Sequence, residues 1–406
     1  MVLTRPAAAA VRRLREDNLR AVLEHAWDAG GHGGEGRGEP GSGPAALTGS
    51  DLIAATGLSR ATVHDVCEEL IDRGWLHELE NARASDGYVK GRPARRYAFS
   101  ARAGVVVGVD AGVRRLSATV ADLRGTPLGR ASATVDHDFE RTDVAVRLAA
   151  LEGTALAALR DADAEPGEVL AAAVGVPAPV GPDGLTAFSG NPYWRFTNPG
   201  ISAHLHDRLG WRTLTDNDAN LAALAEQHRG HGRGARHHVT LLAGERFGAG
   251  VVEDGRLLRG ARGGAGEMRY LDLVTGVGSA DGVGRTLRDL ARARGVAGEP
   301  EQLLAAAAEG EREALTVVRA AGRRLTRVVA TLAGLLDAER VVLAGAVAAS
   351  AGPLLEVVRR ELPRFLDSPL PEVLASELGP DVVVLGAVDR AVQEVRARAL
   401  ELHPAG

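Results

Sequence analysis

Amphipathic helices separated by glycine-marked turns are the pattern of the first hundred residues. Apolar residues recur at helical spacing over residues 11–27 and predict a first helix. A Gly- and Pro-rich tract at 30–44 has almost no apolar content and predicts a mobile loop. Thr48 and Asp51 have capping-box spacing at the start of a second helix, which is predicted to end at Gly57.

A third helix and a hairpin follow. Ser59 is a candidate cap for this helix, and Gly74 is expected to end it. Strand-like runs at 75–79 and 96–99 flank a polar hairpin. The third helix carries its apolar residues on one stripe: Val63, Val66, Cys67, Leu70 and Ile71. Helix, turn, capped helix and hairpin predict a winged helix-turn-helix domain over residues 1–100.

From residue 103 the pattern changes to alternating strands and helices. A hairpin-led series of strands is followed by helices, and a second hairpin then repeats the same plan. The predicted elements are strands at 105–109, 116–122, 127–135, 169–176, 238–242, 250–253 and 341–343, and a helix at 143–160. This order predicts an α/β fold with two similar lobes and a cleft between them.

Composition narrows the class of protein. The 406 residues are 45% hydrophobic, which excludes disorder throughout the chain. The sequence has no run of about 18 apolar residues, and its arginine-rich start lacks an apolar core. We therefore expect a cytoplasmic protein without a membrane span or secretory leader. Cys67 is the only cysteine, which excludes a disulfide framework and a multi-cysteine zinc site.

The net charge of −5 does not favour nucleic-acid binding, so such binding needs a local basic patch. The predicted hairpin supplies one, because Arg83, Lys90, Arg92, Arg95 and Arg96 face only Asp86 there. Its Gly-Arg-Pro turn could hold Arg92 in a minor groove. The predicted DNA-contacting residues are Ser59, Arg60, Thr62, His64, Lys90, Arg92, Arg95 and Arg96. The alternative is a solvated helix and a charged loop in a small interaction module.

Three segments are candidates for the cleft. The Asp110-Ala111-Gly112 turn either binds phosphate or is a plain hairpin turn. Asn217 and Asp218 either project into the cleft or simply cap a helix. The Gly-Gly-Ala-Gly-Glu segment ending at Glu267 either approaches a ligand and presents a carboxylate, or is a flexible loop.

Together the motifs resemble the ROK family of repressors, open reading frames and sugar kinases. The resemblance runs from about residue 105 to 388, and the Gly-Arg-Pro wing is similar to that of ROK transcriptional regulators. It implies an actin-like, ribonuclease H-like duplicated fold, with lobe 1 at 103–220 and 388–406 and lobe 2 at 221–387. The matching motifs are Gly-Val-Asp-Ala-Gly at 108–112, Gly-Val-Pro-Ala-Pro-Val at 175–180, Gly-Asn-Pro-Tyr-Trp at 190–194, Asn-Asp-Ala-Asn at 217–220, Gly-Ala-Gly-Val-Val at 248–252, Gly-Gly-Ala-Gly-Glu at 263–267 and Leu-Ala-Gly-Ala-Val at 343–347.

The resemblance implies roles for individual residues. Asp218 matches the general base of the family's sugar kinases, and Asp110 and Gly112 match the phosphate turn. The residues that match sugar ligands are Asn191, Asn217 and Glu267.

The sequence departs from the kinase pattern at both phosphate loops and at the zinc site. Arg114 and Arg115 crowd the first phosphate loop, and Glu245 would repel a triphosphate at the second unless Arg246 offsets it. Tyr270 replaces the histidine that binds both sugar and zinc, and residues 275–284 replace the cysteine cluster. We therefore expect no metal, no bound cofactor, poor ATP binding, and sugar contacts that are altered around Tyr270.

These observations favour a ligand-responsive DNA-binding regulator, expected to be a repressor, whose kinase-like cleft senses a sugar or sugar derivative. Its expected partners are a double-stranded DNA operator and a second copy of the chain, in a homodimer or tetramer. The alternatives are an active sugar kinase with a DNA-binding arm, and a protein-binding adaptor. The histidines at 228, 231, 237 and 238 are interpreted as part of an exposed linker, with metal binding as the less favoured alternative.

Overall fold

The computed structural model describes residues 5–29, 45–79, 95–135, 141–186, 191–402 and 404, with the side chains of the first helix described from Ala10 onward. The predicted mobile loop at 30–44 lies outside the described residues, as do Arg83, Asp86, Lys90 and Arg92 of the predicted wing and Gly190 of the Gly-Asn-Pro-Tyr-Trp motif.

The N-terminal domain contains three helices and a small antiparallel sheet of strand order β1-β3-β2. Thr48 and Asp51 form the predicted capping box, and Gly57 ends the second helix with φ +70°. The winged helix-turn-helix prediction is therefore confirmed for the described residues. Its elements are α1 (Arg5–Asp28), β1 (Leu47–Thr48), α2 (Gly49–Thr56), α3 (Arg60–Asp72), β2 (Leu76–Leu79) and β3 (Arg96–Phe99).

Lobe 1 is built on a five-stranded sheet of order β6-β5-β4-β7-β8. The first three strands are antiparallel, and β4, β7 and β8 run parallel. Its elements are β4 (Val105–Ala111), β5 (Arg115–Ala121), β6 (Pro127–Thr134), α4 (Val144–Asp161), β7 (Val169–Val176), α5 (Pro192–Thr197), α6 (Ile201–Leu209), β8 (Thr213–Asn217) and α7 (Asp218–Arg229).

Lobe 2 repeats this topology in a sheet of order β11-β10-β9-β12-β13, again antiparallel for three strands and then parallel. The predicted duplication is confirmed. The elements are β9 (His238–Ala243), β10 (Phe247–Glu253), β11 (Arg256–Leu257), α8 (Val283–Arg292), α9 (Pro300–Ala308), α10 (Arg312–Leu336), β12 (Arg340–Ala344), α11 (Gly352–Glu361) and β13 (Glu372–Ala375). The chain then returns to the core of lobe 1 as helix α12 (Val382–Arg398).

Helix α12 packs closely on elements of the cleft. A Cβ at Gly108 of β4 would lie 2.7 Å from the Val384 carbonyl oxygen, and a Cβ at Gly386 would overlap the Leu221 carbonyl of α7. Both glycines are therefore required by backbone contact. The predicted lobe boundaries at 220/221 and 387/388 fall inside α7 and α12 and stay predictions.

The N-terminal domain and lobe 1 share one hydrophobic core. The Trp27 ring lies 4.4 Å from that of Phe99 and 6.1 Å from that of Trp75, and the same core continues into Leu123 of lobe 1. Arg124, in the turn between β5 and β6, donates to the Trp27 carbonyl at 2.6 Å and lies over the Phe99 ring. These contacts hold the N-terminal domain against lobe 1.

The interpretation of the histidines at 228, 231, 237 and 238 as part of an exposed linker is wrong, because His228 lies in α7, His238 lies in β9, and none of the four is exposed. His238 lies in β9, is fully buried, and has its pKa lowered by that burial. Its ring lies beneath Gly232, where a Cβ would lie 2.8 Å from the Nε2 atom, so the segment that follows α7 covers the side chain. In the part of the chain that the structure describes, no helix is long and apolar enough to cross a membrane.

Trp27→Ala is expected to lower the free energy of unfolding by about 3–5 kcal/mol, because it removes a buried indole from the core shared by the domain and the lobe. Urea denaturation followed by circular dichroism measures this. Val11→Ala, on the same helix but 57% exposed, is the control and should change stability by less than about 0.5 kcal/mol. Equal effects of the two substitutions would contradict the shared core.

Candidate functional site

The turn after β4 is tight and internally bonded. The carboxylate of Asp110 accepts a hydrogen bond from the Gly112 N–H. A Cβ at Gly112 would lie 2.7 Å from the Arg115 carbonyl oxygen, so the hairpin itself requires this glycine. Arg114 is exposed at the tip of the turn. These features agree with the plain hairpin interpretation, since the Gly112 N–H is held by Asp110.

A buried arginine lies behind this turn. Arg147 of α4 is 0% exposed and donates to the carbonyls of Ala111 at 2.5 Å and Gly112 at 3.1 Å. Burial lowers its pKa to about 10, so the guanidinium remains charged at neutral pH. Sequence analysis missed it, although an arginine four residues before Leu151 on the apolar stripe of α4 was a signal.

Asn217 and Asp218 start helix α7. The Asn217 amide caps the helix, accepting from the Asn220 N–H at 3.1 Å and donating to the Ala178 carbonyl at 3.1 Å. The structure therefore shows Asn217 as the N-cap of α7. The Asp218 carboxylate accepts from the Ala219 N–H at 2.8 Å.

Three carboxyl groups meet in the cleft. Burial, together with the nearby Asp110 and Glu267 carboxylates, raises the pKa of Asp218 to about 7. Burial likewise raises the pKa of Asp110 to about 7, opposed by Arg115 and Arg147. The structure thus brings together residues from three segments that are far apart in the sequence.

The glycine segment before Glu267 is ordered by backbone packing. Gly263 and Gly266 have φ of +73° and +81°, and a Cβ on them would overlap the carbonyls of Val180 and Ala249. These glycines therefore approach protein backbone, and their contacts favour a packed turn over the flexible-loop alternative. Burial raises the pKa of Glu267, while Arg246 and then Arg269 oppose that shift.

The segment that begins at Asn191 also reaches the cleft. Asn191 caps α5 by accepting from the Tyr193 N–H at 3.0 Å. Burial raises the pKa of the Tyr193 phenol, and the Asp218 carboxylate adds to the shift. Tyr193 is thus a cleft residue. It belongs to the Gly-Asn-Pro-Tyr-Trp motif, but no role was predicted for it from the sequence. Tyr270 is 62% exposed beneath Arg269, so its contact with a ligand stays a prediction.

The second predicted phosphate loop has a different charge balance from the one expected. Glu245 pairs with Arg288 of α8, which also lies 3.5 Å from Glu299. Arg246, expected to offset Glu245, instead opposes the pKa shift of Glu267. This change of partners could not be predicted from the sequence, because Arg288 is 43 residues away from Glu245.

Arg324 organises the segment at 275–284. Its guanidinium donates to the carbonyls of Val277, Ser279 and Asp281 at 2.7–3.0 Å and stacks over Phe247 at 5.5 Å. Phe247 in turn donates its N–H to Ala280 at 2.8 Å. One arginine therefore connects this segment to the second loop. Among the described residues, no group of three or more His, Cys, Asp or Glu side chains is placed to hold a metal ion.

The second candidate surface is the start of α3. Ser59 caps the helix by accepting from the Thr62 N–H at 3.2 Å, and Arg60 and His64 are exposed. Arg95 is engaged in ion pairs with acidic residues of the same domain, and Arg96 is half-buried in β3.

The model of the ROK family matches residues 106–394, which is most of the chain. The chain belongs to the ROK family. Residues 41–80 match the IclR helix-turn-helix domain. The ROK segment thus carries a DNA-binding type of domain at its N-terminal side.

The relatives include both enzymes and repressors. The bifunctional enzyme NanE/NanK of Brucella suis is 35% identical over 190 residues, 45% of this chain, and this chain spans only 35% of the enzyme's length. The xylose repressor of Caldicellulosiruptor bescii is 26% identical over 218 residues, 52% of this chain and 51% of the repressor. A solved ROK family transcriptional regulator, described as a homolog of the E. coli MLC protein, covers 95% of this chain and 98% of its own, with 20% identity and a TM-score of 0.72. The last likeness confirms the fold.

Asp110→Asn should change how stability depends on pH. The folded-state pKa of Asp110 is raised above the ordinary 3.8 to about 7, so its protonation stabilises the fold at low pH and this stabilisation is lost as pH rises through 7. The free energy of unfolding of the variant relative to wild type should therefore rise by about 2–3 kcal/mol between pH 5 and pH 8. Urea titrations at both pH values measure it, with exposed Asp272→Asn as the control. A constant difference between the two pH values would contradict the raised pKa of Asp110.

Arg324→Gln is expected to destabilise the protein by about 2–4 kcal/mol, because several loop carbonyls lose their donor at once. Thermal and urea unfolding measure the loss. Arg319→Gln, exposed on the same helix, provides the matched comparison and should change stability little. If the two variants were equally stable, Arg324 would not be the residue that organises the segment.

Proposed function

We propose that the protein is a sugar-responsive transcriptional regulator that represses by binding a double-stranded DNA operator and changes its DNA affinity when a sugar or sugar derivative enters the cleft. Its membership of the ROK family and its helix-turn-helix domain support this coarse assignment. The observation that carries the proposal is the continuous core between the DNA-binding domain and lobe 1, whose sheet also holds Asp110.

The cleft has the chemistry to bind a neutral polyol. Carboxyl groups and amides accept and donate to sugar hydroxyls, and the raised pKa of Asp110 and Asp218 lets these groups be neutral donors near pH 7. The proposed ligand contacts are Asn191, Asn217, Asp218, Glu267 and Tyr270. The xylose repressor among the relatives supports a carbohydrate as the effector.

Phosphoryl transfer is not part of the proposal, because the first phosphate turn has its own internal partners. The Gly112 N–H is held by Asp110, and the Ala111 and Gly112 carbonyls are turned towards buried Arg147. A triphosphate needs free N–H donors at such a turn. These contacts favour a cleft that binds the sugar without using ATP.

The alternative is an active sugar kinase with a DNA-binding arm. Asp218 favours it, since a carboxyl with a pKa of about 7 in a buried cleft is suited to take a proton from a sugar hydroxyl. The bifunctional enzyme NanE/NanK among the relatives favours it as well.

Homodimers or tetramers of this chain are part of the proposal, because helix-turn-helix domains bind paired half-sites. A regulator of this kind acts where the chromosome lies, and we therefore place it in the cytoplasm.

Calorimetry with a panel of sugars, sugar phosphates and nucleotides tests the proposal. We expect at least one sugar to bind, its affinity to fall at least about tenfold in Asp218→Asn, and ATP not to bind. Asp207→Asn, exposed on α6, is the control. Coupled ADP release is measured on the same samples, and sugar-dependent turnover that Asp218→Asn abolishes would establish the kinase instead.

A further inference from the structure

We propose that Arg95 is a positioning residue that fixes His64 of α3 as the tautomer whose Nδ1–H faces the DNA, and that it does not contact phosphate. The inference rests on the proposed DNA binding. It assigns a specificity-determining role to His64, as a hydrogen-bond donor to an acceptor on a base edge in the major groove.

The contacts of Arg95 join three elements. Its Nη1 lies 3.0 Å from His64 Nε2 and donates to Glu68 Oε1 at 3.1 Å, both on α3. Its Nε donates to Glu78 Oε2 of β2 at 2.9 Å, and the guanidinium lies over the Tyr97 ring of β3 at 5.9 Å. The base of the hairpin is thereby tied to α3, the helix expected to enter the groove.

This environment leaves Arg95 without spare positive charge. One guanidinium faces two carboxylates, those of Glu68 and Glu78, so the local charge of the three groups is negative. A DNA phosphate placed beside Arg95 would also approach both carboxylates. The electrostatic attraction that drives phosphate contacts is therefore cancelled here.

The same geometry decides the tautomer of His64. Arginine can only donate hydrogen bonds, so the Nε2 atom at 3.0 Å from its Nη1 must be the acceptor. The proton of the neutral imidazole then lies on Nδ1. Glu68 Oε1 lies 3.6 Å from the same Nε2 and would favour a protonated Nε2, but Arg95 is nearer.

The consequence for recognition is a defined donor near the start of α3. His64 is 48% exposed at its side chain, and its Nδ1–H can reach an acceptor such as a purine N7. Arg60, which lies one helical turn earlier and is exposed, is free of this constraint on its orientation and is suited to a phosphate.

Nitrogen-15 NMR of the histidine ring in the full chain without DNA tests the tautomer directly. Wild type should show His64 protonated on Nδ1, and Arg95→Gln and Arg95→Lys should both return it to the Nε2–H form. Lysine keeps the positive charge, but its single ammonium nitrogen cannot replace the planar guanidinium that contacts His64, Glu68 and Glu78 together. An Nε2–H signal in wild type would overturn the proposal. This readout does not depend on DNA binding, so it separates the inference from the proposed function.

DNA titrations use a duplex selected from a random library by the wild-type protein, at several salt concentrations. Arg95→Gln and Arg95→Lys should each weaken binding about tenfold while leaving the slope of log K against log salt unchanged. Arg60→Gln, the control, should make that slope shallower by about 0.9. The double variant His64→Ala/Arg95→Gln should bind the duplex no more weakly than His64→Ala alone.

A shallower slope in Arg95→Gln, with affinity kept by Arg95→Lys, would identify a phosphate contact and contradict the proposal. Failure of the library to yield any duplex would contradict the proposed function alone.

Discussion

The packing of helix α12 is the constraint on which the rest of the structure depends. Gly108 lets α12 lie directly on β4, the strand that ends at Asp110, and Gly386 lets it touch α7, the helix that begins at Asp218. Near the other end of α12, Arg396 forms a bidentate ion pair with Asp28 of α1. Its Nη1 and Nη2 donate to Oδ1 and Oδ2 at 2.7 and 2.8 Å. One rigid helix therefore contacts both carboxylate-bearing elements of the cleft and the DNA-binding domain. A closure of the lobes that moves α12 must also move α1.

Opposing electrostatic effects act on the carboxyl groups of the cleft. The carboxyl groups of Asp110, Asp218 and Glu267 lie near one another and are half-buried, which is unfavourable once more than one of them is ionised. Arg147 lies near Asp110 and reduces this cost, yet its own hydrogen bonds go to backbone carbonyls. A ligand with several hydroxyl groups would satisfy the carboxyl groups without bringing further charge. The same arrangement is unfavourable to a triphosphate, since it adds negative charge to the cluster.

Local signals in the sequence predicted the elements well. The capping residues Thr48 and Ser59 and the paired hairpins located the winged helix and both sheets, because caps and alternation depend on near neighbours. Asp110, Asp218 and Glu267 were identified as cleft candidates from their motifs, and the structure brings them together.

Long-range contacts could not be predicted in the same way. The hydrogen bonds of Arg324 and the ion pair between Glu245 and Arg288 join segments that are far apart in the sequence. No periodic pattern of residues indicates which distant segments will meet. The burial of His238 was missed because a histidine-rich composition was taken as a linker, whereas the packing of the segment around Gly232 onto the imidazole decides its exposure. Arg95 was assigned to DNA contact from its charge alone, and the acidic partners that occupy it are 17 and 27 residues distant.

The most direct test of the central claim is the affinity of the full chain for its selected duplex, measured by fluorescence anisotropy with and without a saturating sugar that binds the cleft. We expect the affinity to change by about five- to 150-fold, which corresponds to the usual coupling free energies between linked sites. An unchanged affinity, with the sugar shown to be bound in the same sample, would mean that the cleft and the DNA-binding domain are not coupled and would contradict the account.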